Sequence, residues 1–127
     1  MTSIRVLIVD DMAQVRRDLC TVLPLAGQAA GLQLEIVGEA GNGQEAIQRV
    51  SALQPDVVLM DLEMPVMGGY EATRQIKTHS PGCRVIALTI HGDETVQQRA
   101  SQAGMDDFVV KGAPINSLIQ AMAKEKE

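Results

Sequence analysis

The order of apolar and polar positions along the chain predicts five strands that alternate with five helices. The clearest strand is the run of four apolar residues at 57–60, which has no polar interruption and is typical of a strand covered on both faces. Strands that alternate with helices pair in parallel through right-handed crossovers, so we predict a doubly wound α/β sandwich. The predicted strands are residues 4–9, 34–37, 57–60, 84–88 and 107–110.

Between these strands, apolar residues recur at three- and four-residue spacing, which predicts helices. The first helix contains Pro24, and a proline inside a helix predicts a kink or a break. The second begins at Asn42, a favoured N-cap residue, with Glu45 three residues later as in a capping box. The first helix is predicted over residues 13–29, and the last three over 69–78, 94–103 and 115–122.

The fourth helix differs from the others in its apolar content. Only Val96, Ala100 and Ala103 are available to pack against a core, and the rest of the segment is rich in glutamine. We therefore predict that this helix is the most weakly held of the five.

Composition and charge narrow the class of protein. A chain of 127 residues that is 46% hydrophobic can bury one ordinary core, so we predict a single domain over residues 1–127. The net charge of −5, without a run of Lys or Arg, argues against unaided binding to nucleic acid or to an anionic membrane. The start of the sequence has no basic leader and no apolar run is long enough to span a membrane, so we expect a cytoplasmic protein. Cys20 and Cys83 form no metal-binding motif and are expected to be buried, reduced thiols.

Polar side chains follow four of the predicted strands. Asp10 and Asp11 follow the first strand, Asp61 the third, Thr89 the fourth and Lys111 the fifth. In a parallel sheet these ends lie along one edge, so residues far apart in the sequence converge there. Asp61 taken alone could equally cap a loop or a helix.

The chemistry of that edge follows from its charges. Three clustered carboxylates repel one another, and a hard cation such as Mg²⁺, which prefers oxygen ligands, relieves the repulsion. A metal, an ammonium group and a hydroxyl around one carboxylate suit a phosphoryl group in transfer. The central carboxylate can serve as the nucleophile and become an aspartyl phosphate.

Two other functions are alternatives to phosphoryl transfer to Asp61. Residues 41–46, GNGQEA, fit the G-x-G-x-x-A pattern of a dinucleotide-binding domain, but the pattern follows the second strand rather than the first and leaves the acids and Lys111 unexplained. An aspartate-nucleophile phosphatase would also use a metal. Such enzymes place the nucleophile on the first strand with a second acid two residues later, whereas Asp61 follows the third.

The polar residues also form an ordered set of short motifs. Each motif is weak alone, but their order, with each closing the expected strand, is specific. The chain resembles the receiver domain of bacterial two-component response regulators over essentially its whole length. The matching features are the pair Asp10-Asp11, the block MDLEMP at 60–65 with Gly68, then Thr89, and Phe108 three residues before Lys111.

The resemblance implies a flavodoxin-like sheet with strand order 2-1-3-4-5 and a phosphoacceptor at Asp61. It implies Mg²⁺ ligation by Asp11, Asp61 and the backbone carbonyl of Glu63, with Asp10 acting through water. Lys111 and Thr89 would contact the phosphoryl group. Glu63 and His91, two residues after Asp61 and Thr89, are candidates for tuning water access, although His91 could be an ordinary loop histidine.

The resemblance also implies a switch and a set of partners. Thr89 and Phe108 would move together and alter the face formed by the helix at 94–103, the strand at 107–110 and the helix at 115–122. A sensor histidine kinase or phosphotransfer protein would supply the phosphoryl group, and the altered face could form a homodimer. The domain would then control an output, with transcription regulation the first expectation and a free-standing receiver acting by protein binding the alternative. Neither direct binding to nucleic acid nor an enzymatic activity beyond self-phosphorylation and autodephosphorylation is expected.

Three features depart from the common receiver pattern. The stretch 25–33 between the first helix and the second strand is longer than usual. Phe108 lacks the hydroxyl of the commoner tyrosine. Lys111 is followed by Gly-Ala-Pro rather than directly by proline, which leaves open whether the Lys111–Gly112 bond is cis, since a cis bond before a non-proline residue costs about 3 kcal/mol. The sequence VVKGAP at 109–114 is nearer to receivers attached to helix-turn-helix DNA-binding domains.

Overall fold

The computed structural model describes residues 3–124, and the remaining residues of the predicted domain, 1–2 and 125–127, lie outside that range. Five parallel strands form one sheet in the order β2-β1-β3-β4-β5, which confirms the predicted fold and strand order. The strands are β1 Ser3–Val9, β2 Gln33–Ala40, β3 Val57–Asp61, β4 Arg84–Thr89 and β5 Asp107–Val110. The helices are α1 Ala13–Ala29, α2 Gly43–Leu53, α3 Gly69–His79, α4 Glu94–Gln102 and α5 Ile115–Ala123.

Helices cover both faces of the sheet, as the uninterrupted apolar strands require. Leu23 of α1 and Leu118 of α5 pack in one cluster with the side chains that β1, β3 and β4 present to that face. Ala46 of α2 and Ile76 of α3 pack against the alternate side chains of the same strands. All five residues of β3 are buried, as are all six residues of β4, so the strand that ends in Asp61 lies in the enclosed centre of the sheet.

The prediction for the second strand was wrong about its length. β2 continues to Ala40 instead of ending at residue 37, and its pairing with β1 shifts by one residue between Val6 and Leu7. Gly38, one residue beyond the predicted end of this strand, pairs with Leu7. A Cβ at Gly38 would lie 2.8 Å from a methyl carbon of Leu53, so the glycine is needed for close packing of α2 rather than for a turn.

The first helix is continuous through Pro24, so the predicted break is absent. The helix runs the full predicted length and leaves only three residues, 30–32, before β2. Gly31 adopts a positive φ of 80° there, a conformation that glycine reaches without steric cost. The long stretch at 25–33 is therefore mostly helix rather than an extended loop.

The start of α2 has the predicted cap. The Asn42 side chain accepts a hydrogen bond of 2.9 Å from the Glu45 N–H, and the Glu45 carboxylate accepts one of 3.0 Å from the Gly41 N–H. Gly43 packs closely, since a Cβ there would lie 2.6 Å from the carbonyl oxygen of Met67. The G-x-G segment thus serves a helix cap and a tight contact with the loop after β3.

The fourth helix is held by few buried groups, as predicted. It contributes a single buried residue, Ala100, to a small cluster whose other buried members are Leu62 and Ala87. Four partly buried residues pack against this cluster: Tyr70, Val96, Met105 and Phe108. Cys83 is buried, whereas Cys20 is only half-buried, and neither cysteine forms a disulfide. Within residues 3–124, no helix combines the length and the apolar character needed to cross a membrane.

Candidate functional site

The carboxyl edge of the sheet brings the predicted acids and lysine together. Carboxylate oxygens of Asp10, Asp11 and Asp61 all lie within 4.8 Å of one another. The Lys111 ammonium lies 2.8 Å from Asp10 Oδ2 and 3.7 Å from Asp61 Oδ1. Gly69 closes the back of the site, because a Cβ at that position would collide with the carbonyl oxygen of Asp61.

The acids differ in their exposure and therefore in their electrostatics. Asp10 and Asp61 are buried, whereas Asp11 is exposed. Burial raises the pKa of Asp61 to about 6, and the Asp10 charge adds to this rise while the Lys111 charge opposes it. Burial lowers the pKa of Lys111, but its hydrogen bond to Asp10 and the surrounding acids outweigh that effect and raise the pKa overall. Three carboxylates thus share one ammonium group, which leaves an uncompensated negative charge at the site.

The donor set at this edge suits a magnesium ion. Carboxylate oxygens are hard ligands of the kind that Mg²⁺ takes in proteins. Among residues 3–124, the structure shows no hydrogen bond or ion pair to the Asp11 carboxylate, so its oxygens are open to a ligand. Both Asp10 oxygens already accept hydrogen bonds, one of 2.9 Å from the Met12 N–H and one of 2.8 Å from Lys111. This difference fits the expectation that Asp11 binds a metal directly and Asp10 through water.

The Glu63 peptide lies beside the cluster. Its N–H group is 3.5 Å from Asp61 Oδ1, so the loop after β3 folds back over the carboxylate that ends the strand. The next residues turn sharply, with Val66 at a positive φ of 70° and a hydrogen bond of 2.7 Å from the Met67 N–H to the Pro65 carbonyl.

Thr89 connects the site to the edge strand. The residue is buried, and its hydroxyl oxygen accepts a hydrogen bond of 3.1 Å from the His91 N–H. Its carbonyl accepts one of 2.7 Å from the Lys111 N–H. Because Asp61 pairs with Leu88, Thr89 stands one position beyond the partner of the central carboxylate.

Glu63 and His91 meet above the site. His91 Nε2 and Glu63 Oε1 are 3.3 Å apart, and both side chains are largely exposed. The sequence predicts that each flanks the site, but it does not show that they contact one another.

Phe108 lies on β5 and contacts the residues beneath α4. It is half-buried and packs in the small cluster beneath α4.

The peptide bonds among the described residues are all trans, including Lys111–Gly112, and Gly112 adopts a positive φ of 91°.

One residue beside the site was missed by sequence reasoning. Arg16 donates a hydrogen bond of 2.6 Å from Nη1 to the carbonyl oxygen of Asp10, and its Nε lies 3.0 Å from Glu39 Oε1. In the sequence, Arg16 looks like an ordinary polar residue of an amphipathic helix. Its only signal is its position, six residues after Asp10, about one turn into α1.

Comparison with known proteins agrees with this geometry. Residues 6–123 match the family described as the response regulator receiver domain. The chain belongs to this family. It is 40% identical to the response regulator GacA of Pseudomonas viridiflava over 119 residues. These aligned residues make up 94% of this chain and 53% of that protein. The chain is 37% identical to the chemotaxis protein CheY of Thermotoga maritima over 120 residues, and this alignment covers 94% of this chain and 95% of that protein.

Receiver domains of known structure share the fold. A LuxR-family two-component response regulator from Aurantimonas sp. SI85-9A1 matches with a TM-score of 0.85 and 29% identity, over 94% of this chain and 81% of that one. CheY of Borrelia burgdorferi, solved as a complex with CheX, BeF3 and Mg, matches with a TM-score of 0.82 and 26% identity over 93% and 85% of the two chains. The chain spans about half the length of the first curated relatives it matches, the GacA proteins.

Proposed function

We propose that this receiver domain accepts a phosphoryl group on Asp61 from the phosphohistidine of a histidine kinase or phosphotransfer protein. The observation that carries the proposal is the buried Asp61 carboxylate, held beside two further acids and one lysine. An Asp61 oxygen forms the new O–P bond, the P–N bond to imidazole breaks, and the leaving imidazole nitrogen takes a proton from solvent.

The residues around Asp61 have separate roles in this transfer. Mg²⁺, when bound by Asp11, Asp61 and the Glu63 carbonyl, supplies positive charge next to the transferring group. The Lys111 ammonium, 3.7 Å from Asp61 Oδ1, supports the proposal because it can reach an oxygen of a phosphoryl group attached there. The Thr89 hydroxyl accepts from His91, so its own proton is available to a second phosphoryl oxygen.

The activity of the domain would be limited to its own phosphorylation and dephosphorylation. Water must reach the phosphoryl group for the aspartyl phosphate to hydrolyse. The exposed pair of Glu63 and His91 stands at that entrance, which supports a role for both in setting the lifetime of the phosphorylated state.

Intact mass spectrometry after incubation with acetyl phosphate tests the proposed acceptor. The wild-type protein should gain the mass of one phosphoryl group with Mg²⁺ present and none in EDTA. Asp61→Asn should abolish the gain. Asp106→Asn, which alters an acid at the opposite edge of the sheet, is the matched control and should be phosphorylated like the wild type. Equal phosphorylation of Asp61→Asn and wild type would overturn the assignment.

The output is proposed to leave through the face formed by α4, β5 and α5. A phosphoryl group gives the Thr89 hydroxyl a new acceptor, and the inward movement of Thr89 would leave space for Phe108 to become more buried. The small cluster beneath α4 supports this route, because an element with few buried contacts can be rearranged at a cost of only a few kcal/mol. A homodimer through this face is part of the proposal.

Amide chemical shifts with and without beryllofluoride and Mg²⁺ test that route. Shifts should change around Asp61 and also through α4, β5 and α5. Changes confined to the loops around Asp61 would contradict it.

The LuxR-family neighbour supports an output in transcription regulation through a further domain, whereas the near-complete coverage of CheY supports a free-standing receiver. The mass of the protein isolated from its source distinguishes the two.

A further inference from the structure

Arg16 joins three elements at the acid pair. Its guanidinium donates from Nη1 to the Asp10 carbonyl oxygen at the end of β1, and its Nε pairs with Glu39 on β2, while its own backbone belongs to α1. Four-fifths of the Arg16 side chain is shielded from solvent, since its exposure is 20%. A fork-shaped cation with two simultaneous partners is far better fixed than a single exposed ion pair.

The Asp10–Asp11 peptide is held mainly from one side by this contact. The Asp10 N–H, which belongs to the preceding Val9–Asp10 peptide, donates to the Ala40 carbonyl over 3.1 Å. The carbonyl of the Asp10–Asp11 peptide itself accepts from Arg16 over 2.6 Å. In a trans peptide the carbonyl and the following N–H point in opposite directions, so fixing the carbonyl oxygen also fixes the plane from which Asp11 projects.

Asp11 depends on its backbone for its placement. Among residues 3–124 no side chain or backbone group bonds to its carboxylate, which is exposed, whereas Asp10 and Asp61 are enclosed. A flexible exposed carboxylate makes a poor ligand unless something else restricts it, because each ordering step costs conformational entropy.

We propose that Arg16 is a positioning residue for the cation site: through the Asp10 carbonyl it holds the peptide that aims Asp11 at the ion. The inference rests on the proposed Mg²⁺ site. It assigns Arg16 no contact with the ion or with the phosphoryl group.

The sign of the effect on Mg²⁺ affinity separates this role from simple electrostatics. Arg16 is a positive charge close to a cation site, so removing the charge should by itself tighten binding of Mg²⁺. If Arg16 positions Asp11, removing it should instead weaken binding, by about tenfold, as for other residues that orient metal ligands. The two accounts predict opposite changes in the dissociation constant.

The experiment is a Mg²⁺ titration followed by amide chemical shifts, without any phosphodonor. Arg16→Gln should raise the dissociation constant by about tenfold. Arg17→Gln is the matched control, because Arg17 is exposed on the same helix, its side chain donates a hydrogen bond to Gln14, and the substitution makes the same change in charge. That control should leave the constant unchanged or slightly lower.

Two further variants keep the test decisive. Arg16→Lys retains the charge but cannot bridge Glu39 and Asp10 together, so it should also weaken binding, and it carries the test if Arg16→Gln fails to melt cooperatively in EDTA. Glu39→Gln should weaken binding less, and the double variant should be no worse than Arg16→Gln alone, since the two residues act as one unit. A dissociation constant for Arg16→Gln or Arg16→Lys no higher than that of Arg17→Gln overturns the proposal. Failure of the wild type to bind Mg²⁺ at all would instead refute the proposed function.

Discussion

Acidic side chains lie at both edges of the sheet, but only at the carboxyl edge do three carboxylates share one ammonium group. At the amino edge, Asp106 accepts a hydrogen bond from the Val85 N–H over 2.8 Å and forms an ion pair of 2.6 Å with Lys77. Asp56 at the same edge accepts from the Arg5 N–H over 2.8 Å. At the carboxyl edge three carboxylates share the single ammonium of Lys111.

The difference shows which acids serve the fold and which serve the chemistry. An acid that accepts a backbone N–H and faces its own cation lowers the energy of the folded state. A buried acid beside two others raises that energy until a cation or a proton offsets the repulsion. The same residue type should therefore respond to substitution with opposite signs at the two edges.

The largest effect should appear in the pH dependence of the metal-free protein. The pKa of Asp61 is raised from 3.8 to about 6 in the folded state, so the folded protein holds this proton more tightly than the unfolded chain. The free energy of unfolding should therefore fall as pH rises from roughly 4 to 6, by on the order of 3 kcal/mol from this group, and level off above.

Urea denaturation in EDTA across this pH range measures the effect as the difference between wild type and Asp61→Asn. The variant should lack the Asp61 contribution and be the more stable protein at neutral pH. Parallel curves for the two proteins would show that Asp61 is not destabilised by its surroundings.

A smaller effect of opposite sign is expected at the amino edge. Asp106→Ala should lower the free energy of unfolding by about 2 kcal/mol, because the Val85 N–H loses its acceptor and Lys77 loses its partner. Asp106→Asn retains an acceptor and should lose less. A gain in stability for Asp106→Ala would remove the contrast between the two edges.

The smallest effect should come from the exposed acid of the cluster. Asp11→Asn relieves repulsion that solvent already screens, so the metal-free protein should gain only about 0.5–1 kcal/mol and melt at a slightly higher temperature. The same variant should bind Mg²⁺ more weakly. Thermal melts in EDTA check the gain, and a lower melting temperature than the wild type would argue against clustered repulsion.

The sequence predicted the structure best where a residue type has a single usual location, such as apolar residues in a buried strand or polar residues at the end of one. The apolar run at 57–60 predicted a buried strand, and the polar residues after the strands predicted which side chains converge. The length of β2 was missed because its pairing with β1 skips Val37 and resumes at Gly38, and apolar periodicity does not encode a shift in register.

The pattern of apolar and polar residues also did not predict contacts between side chains that are far apart in the sequence. Arg16 reaches Asp10 and Glu39, and Glu63 meets His91, because long side chains bridge elements whose relative placement the sequence pattern does not specify. The balanced pair of Lys77 and Asp106 was missed for the same reason. Sequence reasoning therefore found the acids of the site but not what holds them in place.

The free energy of unfolding as a function of Mg²⁺ concentration tests most directly the claim that the carboxyl edge is left unbalanced for a cation. With a dissociation constant on the order of 1 mM, about 10 mM Mg²⁺ should stabilise the wild type by roughly 1.4 kcal/mol. Asp106→Ala, although less stable, should gain the same amount, whereas Asp11→Asn should gain clearly less. A wild-type stability that does not change with Mg²⁺ would contradict the account.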